Sequence, residues 1–198
     1  MVLEHYSNAA GADEAGRGPL AGPVVAAAVI LPDGFDLEGI NDSKQLTPKA
    51  REEQETRIKA FAIWAVEPAW HDEVDRLNIL HASLAAMARA VARLSVKPSL
   101  VLIDGNRLPN GLGCDARAVI KGDGKVACIA AASILAKVER DRIMCRLAGE
   151  YPDYGFERHF GYPTPDHLAA LAKHGPCPIH RRSFVTVQQS LQASFEGL

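Results

Sequence analysis

Hydrophobic and polar positions alternate between two periods along this chain, and the changes of period mark its elements. Val24 to Leu31 (VVAAAVIL) is apolar without interruption and bounded by Pro23 and Pro32, which predicts a buried strand. Asp13-Glu14-Ala15-Gly16-Arg17-Gly18 precedes it as a turn-rich segment, so the chain is expected to open as strand, glycine turn, strand. Asp33 to Asp42 reads as loop and Pro48 to about Ala60 as a charged surface helix. Phe61 to Val66 (FAIWAV) predicts a third strand that ends before Pro68. Leu80, Leu84, Met87, Val91 and Leu94 recur in steps of four and three, the stripe of a helix packed on a sheet. Leu100 to Ile103 and Ala116 to Ile120 predict two further strands, which end at Asp104-Gly105-Asn106 and Lys121-Gly122-Asp123. From Lys125 to about Tyr151 the chain is alanine-rich and free of proline, which predicts one long helix. Beyond Pro152 the composition turns to Pro, Gly, His and aromatic residues, with short helices expected at Asp166–Lys173 and Val185–Phe195. The expected organisation is a core over residues 1–151 and a small helical C-terminal lobe over 152–198, working as one unit. Early strands followed by strand–helix alternation imply an α/β mixed sheet with helices on both faces.

Composition narrows the classes. With 198 residues, 47% hydrophobic and 23% charged, the chain suits one globular domain with a substantial core. Its longest uncharged stretch, Gly18 to Pro32, holds three prolines and falls short of the roughly 20 apolar residues that span a bilayer. Met1 to Glu14 lacks the basic start and apolar centre of a secretory signal, so a cytoplasmic location is expected. The four cysteines form no C-x-x-C pair and are read as reduced and structural. A net charge of −2 argues against holding nucleic acid through overall positive charge. A polyanion would need a local patch, for which Lys173, His174, His180, Arg181 and Arg182 are candidates beside a plain solvated surface.

Four carboxylates fall where predicted strands meet loops or a helix: Asp13, Glu14, Asp104 and Asp123. Converging carboxylates repel one another unless a cation neutralises them, and hard oxygen donors select Mg2+ or Mn2+. Two such ions about 4 Å apart would activate water and stabilise a leaving oxygen in phosphodiester hydrolysis. Each acid also has a plainer role open to it, since Asp104 suits a turn, Asp123 suits a helix cap, and Asp13 and Glu14 suit surface charge. Ser133, Lys137 and Arg140 lie on one face of the long helix, and Lys121 and Lys125 flank its start, an arrangement open to a phosphate backbone or to solvent alone. Gly122-Asp123-Gly124-Lys125 is not a P-loop, and no H-E-x-x-H or G-x-S-x-G occurs. His159, His167, His174 and His180 lack tight metal spacing.

The segment Asp13 to Pro23 resembles the opening signature of the type 2 ribonucleases H, bacterial ribonuclease HII. The resemblance extends from Ala12 to Phe184 through Asn41-Asp42-Ser43-Lys44, Asn78-Ile79-Leu80-His81-Ala82, Ile103-Asp104-Gly105-Asn106, Lys121-Gly122-Asp123, Ala131 to Asp141, Gly161-Tyr162-Pro163-Thr164 and His180 to Phe184. It implies a ribonuclease H-like mixed sheet flanked by helices, with a small helical C-terminal lobe. It implies a metal-dependent endoribonuclease that cuts the RNA strand of RNA–DNA hybrids and nicks duplex DNA 5′ to embedded ribonucleotides, leaving 5′-phosphate and 3′-hydroxyl ends. Matched by motif, Asp13, Glu14, Asp104 and Asp123 would be catalytic metal-binding acids using Mg2+ or Mn2+. Gly16, Arg17, Gly18, Ser43, Lys44, Lys121, Ser133, Lys137 and Tyr162 would contact substrate, with Tyr162 stacking on the sugar 3′ of the ribonucleotide. Phe160 stands where the family usually has lysine, and Gly124 where it commonly has serine. Ribonuclease HIII carries a different Gly-Lys-Gly opening and a sizeable N-terminal domain, so that sister family fits less well. A monomer is expected, with a weak sliding-clamp likeness in Gln188-Gln189-Ser190-Leu191 and Phe195. Without the resemblance, a junction-cutting nuclease or a non-catalytic hybrid-binding module fits the same pattern.

Overall fold

A computed structural model describes residues 3–196, with side chains to Gln192. The continuous apolar run becomes β2 (Val24–Ile30), every residue of which is buried. It pairs antiparallel with β1 (Ala9–Ala15) on one side and with β3 (Ile63–Ala69) on the other. β1 pairs in parallel with β4 (Leu100–Asp104), and β4 in parallel with β5 (Asp115–Val119), giving one sheet in the order β3-β2-β1-β4-β5. Central β1 and β2 are therefore covered on both faces and read as apolar or small residues, except for Asp13 and Glu14 at the carboxyl end of β1. β3 runs through Pro68, beyond its predicted end, because it is an edge strand and a missing N–H there need not interrupt the ladder.

Helices α1 (Pro48–Phe61), α2 (His71–Leu77), α3 (Ile79–Ala92), α4 (Ala127–Glu150), α5 (Phe156–His159), α6 (Pro165–His174) and α7 (Val185–Glu196) complete the order. Alternation along β1 and β2 separates two cores: Ala9, Ala27 and Val29 pack with α4, whereas Ala10, Ala12, Ala26 and Ala28 pack with α3. The α3 stripe is observed in part, with Met87, Val91 and Leu94 buried against the sheet. Ala82, Ala86 and Ala90 form the fully buried face while Leu80 and Leu84 are half-buried at its flank, because small side chains let the helix sit close to the sheet. The short helices α2 and α5 have no counterpart in the predicted elements.

Backbone meets backbone closely where α4 crosses β1. A Cβ at Gly11 would stand 2.2 Å from the Cys128 carbonyl carbon and 2.3 Å from the Ile129 nitrogen, and backbone cannot rotate aside. Gly11→Ala is therefore expected to lower stability by about 1–3 kcal/mol or more through overpacking. Gly149→Ala, on the exposed end of α4 with open space around it, is expected to raise stability by about 0.5–1 kcal/mol. Thermal melts of the two variants check this opposition. Residues beyond Pro152 bury Tyr154, Phe156, Cys177 and Ile179 against Ile143, Met144 and Leu147 of α4.

Candidate active site

The parallel register places the acids. Ala12 pairs with Ile103, so Asp13 and Asp104 follow at the same end of adjacent strands. Functional groups gather at this carboxyl end in open α/β sheets because the chain there leaves the ladder for loops. Asp123 lies in the 3-10 turn Gly122–Gly124 after β5, and the Gly122 amide donates to Asp104 Oδ1 at 2.7 Å, tying the two acidic segments together. Asp123 does not cap α4, whose N-cap is Val126.

Burial pushes the Asp13 carboxyl well above its usual range, and the neighbouring Glu14 and Asp104 charges add to the effect. The Glu14 amide, donating to Asp13 Oδ1 at 2.7 Å, and the Ser133 hydroxyl oppose it only in part. Burial also raises Glu14; Arg17, 3.4 Å away, opposes that rise and Asp104 reinforces it. Asp123 is raised by burial, Asp104 and Asp42, against the pull of Lys44 at 4.0 Å. The cluster is short of positive charge, and its donors are all hard oxygens, the donor set that Mg2+ or Mn2+ fits. Among the described residues no three His, Cys, Asp or Glu side chains stand close enough together, as placed, to hold a metal ion.

The residues matched as substrate contacts divide into three groups. Tyr162, 41% exposed, lies beside the glycine turn, since a Cβ on Gly18 would sit 3.4 Å from its ring; Arg17, Lys44 and Lys121 are exposed. Ser43 and Ser133 are buried and bonded to each other at 2.8 Å, behind Asp13 rather than on the surface. Lys137 pairs with Asp141 at 2.7 Å and stands 4.9 Å over the Phe160 ring. A cleft of about 330 Å3 lined by Asn41, Gln45, Lys121, Gly124 and Lys125 adjoins the Asp123 turn.

Two basic features read from sequence are not surface features. Arg140 is buried and donates to the carbonyls of Pro23, Ala21 and Phe160. Arg181, equally buried, donates to those of Gly22, Arg17 and Gly16 at 3.0, 3.0 and 2.7 Å. The C-terminal patch is broken accordingly, with His180 also inside. Residues 16–23 make only an isolated bridge, Ala21 with His180, so several of their buried carbonyls need side-chain donors. Gly16 has φ +98°, and a Cβ there would meet Arg140 Nε at 1.9 Å, so the turn and the arginine beneath it require each other. Among the described cysteines Cys128 and Cys177 are buried and Cys145 is exposed, all free.

A mixed five-stranded sheet flanked by helices, with carboxylates at the ends of its central parallel strands, defines the ribonuclease H-like class of nuclease. The family model for ribonuclease HII matches residues 10–187. A ribonuclease HII from Maricaulis maris is 58% identical over 189 residues, covering 94% of this chain and 85% of its own. The ribonuclease HII of a complex with PCNA from Archaeoglobus fulgidus superposes with TM-score 0.79 at 28% identity, covering 96% of this chain and all of that one. The ribonuclease H2 of Pyrococcus horikoshii gives TM-score 0.76 at 28% identity, covering 93% and 97%. The chain belongs to the ribonuclease HII family. It is thus a nuclease that hydrolyses phosphodiester bonds in RNA–DNA substrates, in a family that depends on divalent metal ions. No described helix is long and apolar enough to cross a membrane.

Proposed function

We propose that the enzyme nicks duplex DNA 5′ to a single embedded ribonucleotide, besides cutting the RNA strand of longer hybrids, by two-metal-ion hydrolysis. The observation that carries this reading is the buried, charge-crowded Asp13 beside Glu14 and Asp104, with the Gly16–Gly18 turn and Tyr162 alongside. Asp13, Glu14, Asp104 and Asp123 hold Mg2+ or Mn2+. When bound, these ions supply Lewis acidity that acidifies water and offsets charge on the leaving oxygen. The carboxylates fix that chemistry in place, and Ser133, braced by Ser43, orients Asp13. Backbone at Gly16 to Gly18 meets the 2′-hydroxyl, the group that distinguishes RNA from DNA at that point, with Arg17 held beside it by Glu14. Tyr162 stacks on the next sugar. Lys44 and Lys121 contact phosphates, and Lys137 over Phe160 supplies positive charge where the family pattern has lysine.

Residues 152–198 serve this as a lobe of the same functional unit, in a cytoplasmic monomer. A weak clamp contact through 188–195 extends the reading, drawn from the archaeal relative's complex with PCNA; the Phe195 side chain lies outside the described residues. End analysis of the nicked strand tests the reaction. Hydrolysis by water predicts 5′-phosphate and 3′-hydroxyl termini, whereas a 2′,3′-cyclic phosphate would mean attack by the ribonucleotide's own hydroxyl and would overturn it.

A further inference from the structure

The C-terminal lobe contains a buried histidine pair that no step above uses. His167 and His180 have no exposed surface, and their Nε2 atoms are 3.1 Å apart. At one end of the pair, His167 Nδ1 stands 2.9 Å from the Tyr162 carbonyl oxygen. At the other, the Cys177 amide donates to His180 Nδ1 at 3.0 Å.

Backbone chemistry at the two ends assigns the protons. A carbonyl only accepts, so His167 carries its proton on Nδ1 and leaves Nε2 bare. His180 Nε2 must then donate, which leaves His180 Nδ1 as the acceptor that the Cys177 amide requires. The Cys177 carbonyl, 3.3 Å from the same nitrogen, is the more distant contact. The chain of bonds thus has one consistent arrangement, with both rings neutral. Burial favours that state, lowering His167 and bringing His180 down to about 4. The neighbouring rings fit it too. His159 stacks on His167 with centroids 4.6 Å apart and accepts from the Gly161 amide at 3.2 Å, and Tyr154 covers His180 at 5.1 Å.

We propose that His167 is a positioning residue for Tyr162, and that His180 acts through it by fixing its tautomer. The inference rests on the reading of Tyr162 as the residue that stacks on the sugar 3′ of the ribonucleotide, a deoxyribose beside a single embedded ribonucleotide and a ribose within a long hybrid. The loop it steadies needs steadying: Phe160 and Gly161 both have positive φ, at +50° and +81°, and Tyr162 is partly exposed. The Gly161 carbonyl accepts from the Leu20 amide at 2.8 Å, so the same loop is bonded to the segment that carries the glycine turn. A misplacement of the ring on the order of 1 Å is enough to matter for a group that orients substrate.

The test measures, for each variant, the rate on a duplex with one embedded ribonucleotide divided by the rate on a long RNA–DNA hybrid. Taking the ratio within one preparation cancels any loss of folded protein. Asparagine keeps a donor at the Nδ1 position, whereas glutamine places its amide near Nε2 and abandons the Tyr162 carbonyl. His167→Gln is expected to lower the ratio by about tenfold and His167→Asn to stay within about threefold of the parent. Tyr162→Ala is expected to lower the ratio as well, and adding His167→Gln to it is expected to cost nothing further, because the two act as one unit. A parental ratio in His167→Gln, while Tyr162→Ala lowers it, would overturn the proposal and leave the Tyr162 reading intact. So would a further fall in the double variant, which would mark His167 as acting elsewhere. An unchanged ratio in Tyr162→Ala would instead overturn the reading of Tyr162 as the ring that stacks on the next sugar.

Discussion

Asp13→Asn is expected to cut metal-dependent cleavage by roughly a thousandfold or more, the scale lost when a group acting on developing charge is removed. The same substitution is expected to make the metal-free protein more stable. Asp13 is only 5% exposed and is repelled by Glu14 and Asp104, so ionising it opposes folding when no cation is bound. Its folded-state carboxyl titrates above the unfolded value. Between those two values the folded protein holds a proton that the unfolded chain has released, and metal-free stability falls as pH rises through that window. Buried His180 works in the opposite sense. It titrates near 4 rather than 6.5, so the unfolded chain alone binds its proton in that interval and stability falls as pH drops through it. Comparing parent with Asp13→Asn at each pH cancels the histidine contribution. Melting temperatures in EDTA should show the parent losing more stability than the variant as pH rises, and Mg2+ or Mn2+ should raise the parent's melting temperature more than the variant's.

Arg181→Ala is expected to cause the largest loss of folding stability. The substitution strips donors from the carbonyls of Gly16, Arg17 and Gly22 and leaves a void beneath the turn. Each buried carbonyl left without a donor costs about 1–3 kcal/mol, so the total reaches several kcal/mol. Arg181→Lys is expected to fall between alanine and the parent, because an ammonium keeps the charge but cannot reproduce the planar fork that serves separate acceptors. Burial, with Arg140 nearby, brings the Arg181 guanidinium down to about 9, so it remains charged at neutral pH and its removal deletes a charge as well as a fork. Denaturant unfolding reads the stability loss. Cleavage normalised to folded protein reads the second effect, a turn no longer held for the substrate.

Much of this molecule is legible in its sequence. Four of the five strands follow from short apolar runs and their breakers, while β1 extends through Asp13 to Ala15, which read as turn because their charges carry no apolar pattern; Asp104 and Asp123 stand out because they sit beside glycine where those runs end. The missed features share a physical cause, that the determining partner is distant in sequence. Arg140 and Arg181 look like surface cations until the turn at residues 16–23, more than a hundred residues away, is seen to lack donors of its own. The α3 stripe is legible in part: Met87, Val91 and Leu94 are buried as expected, whereas Ala82, Ala86 and Ala90, too small to mark a face in the sequence, complete the contact with the sheet. His167 and His180 lack metal spacing, yet they meet because α6 and the segment after it fold back together; their pairing had no local signal. Gly22 and Gly16 offered one, since glycines in a structureless stretch imply carbonyls that something must satisfy.

On the function proposed here, the carboxylate site cuts beside a ribonucleotide and requires a divalent metal to do so. The direct measurement is cleavage of a DNA duplex carrying one embedded ribonucleotide against its all-DNA twin, with Mg2+ or Mn2+ and then with EDTA. A single nick on the 5′ side of the ribonucleotide is expected, with none in the twin and none after chelation. Cutting of the all-DNA duplex, or cutting that survives EDTA, would contradict it.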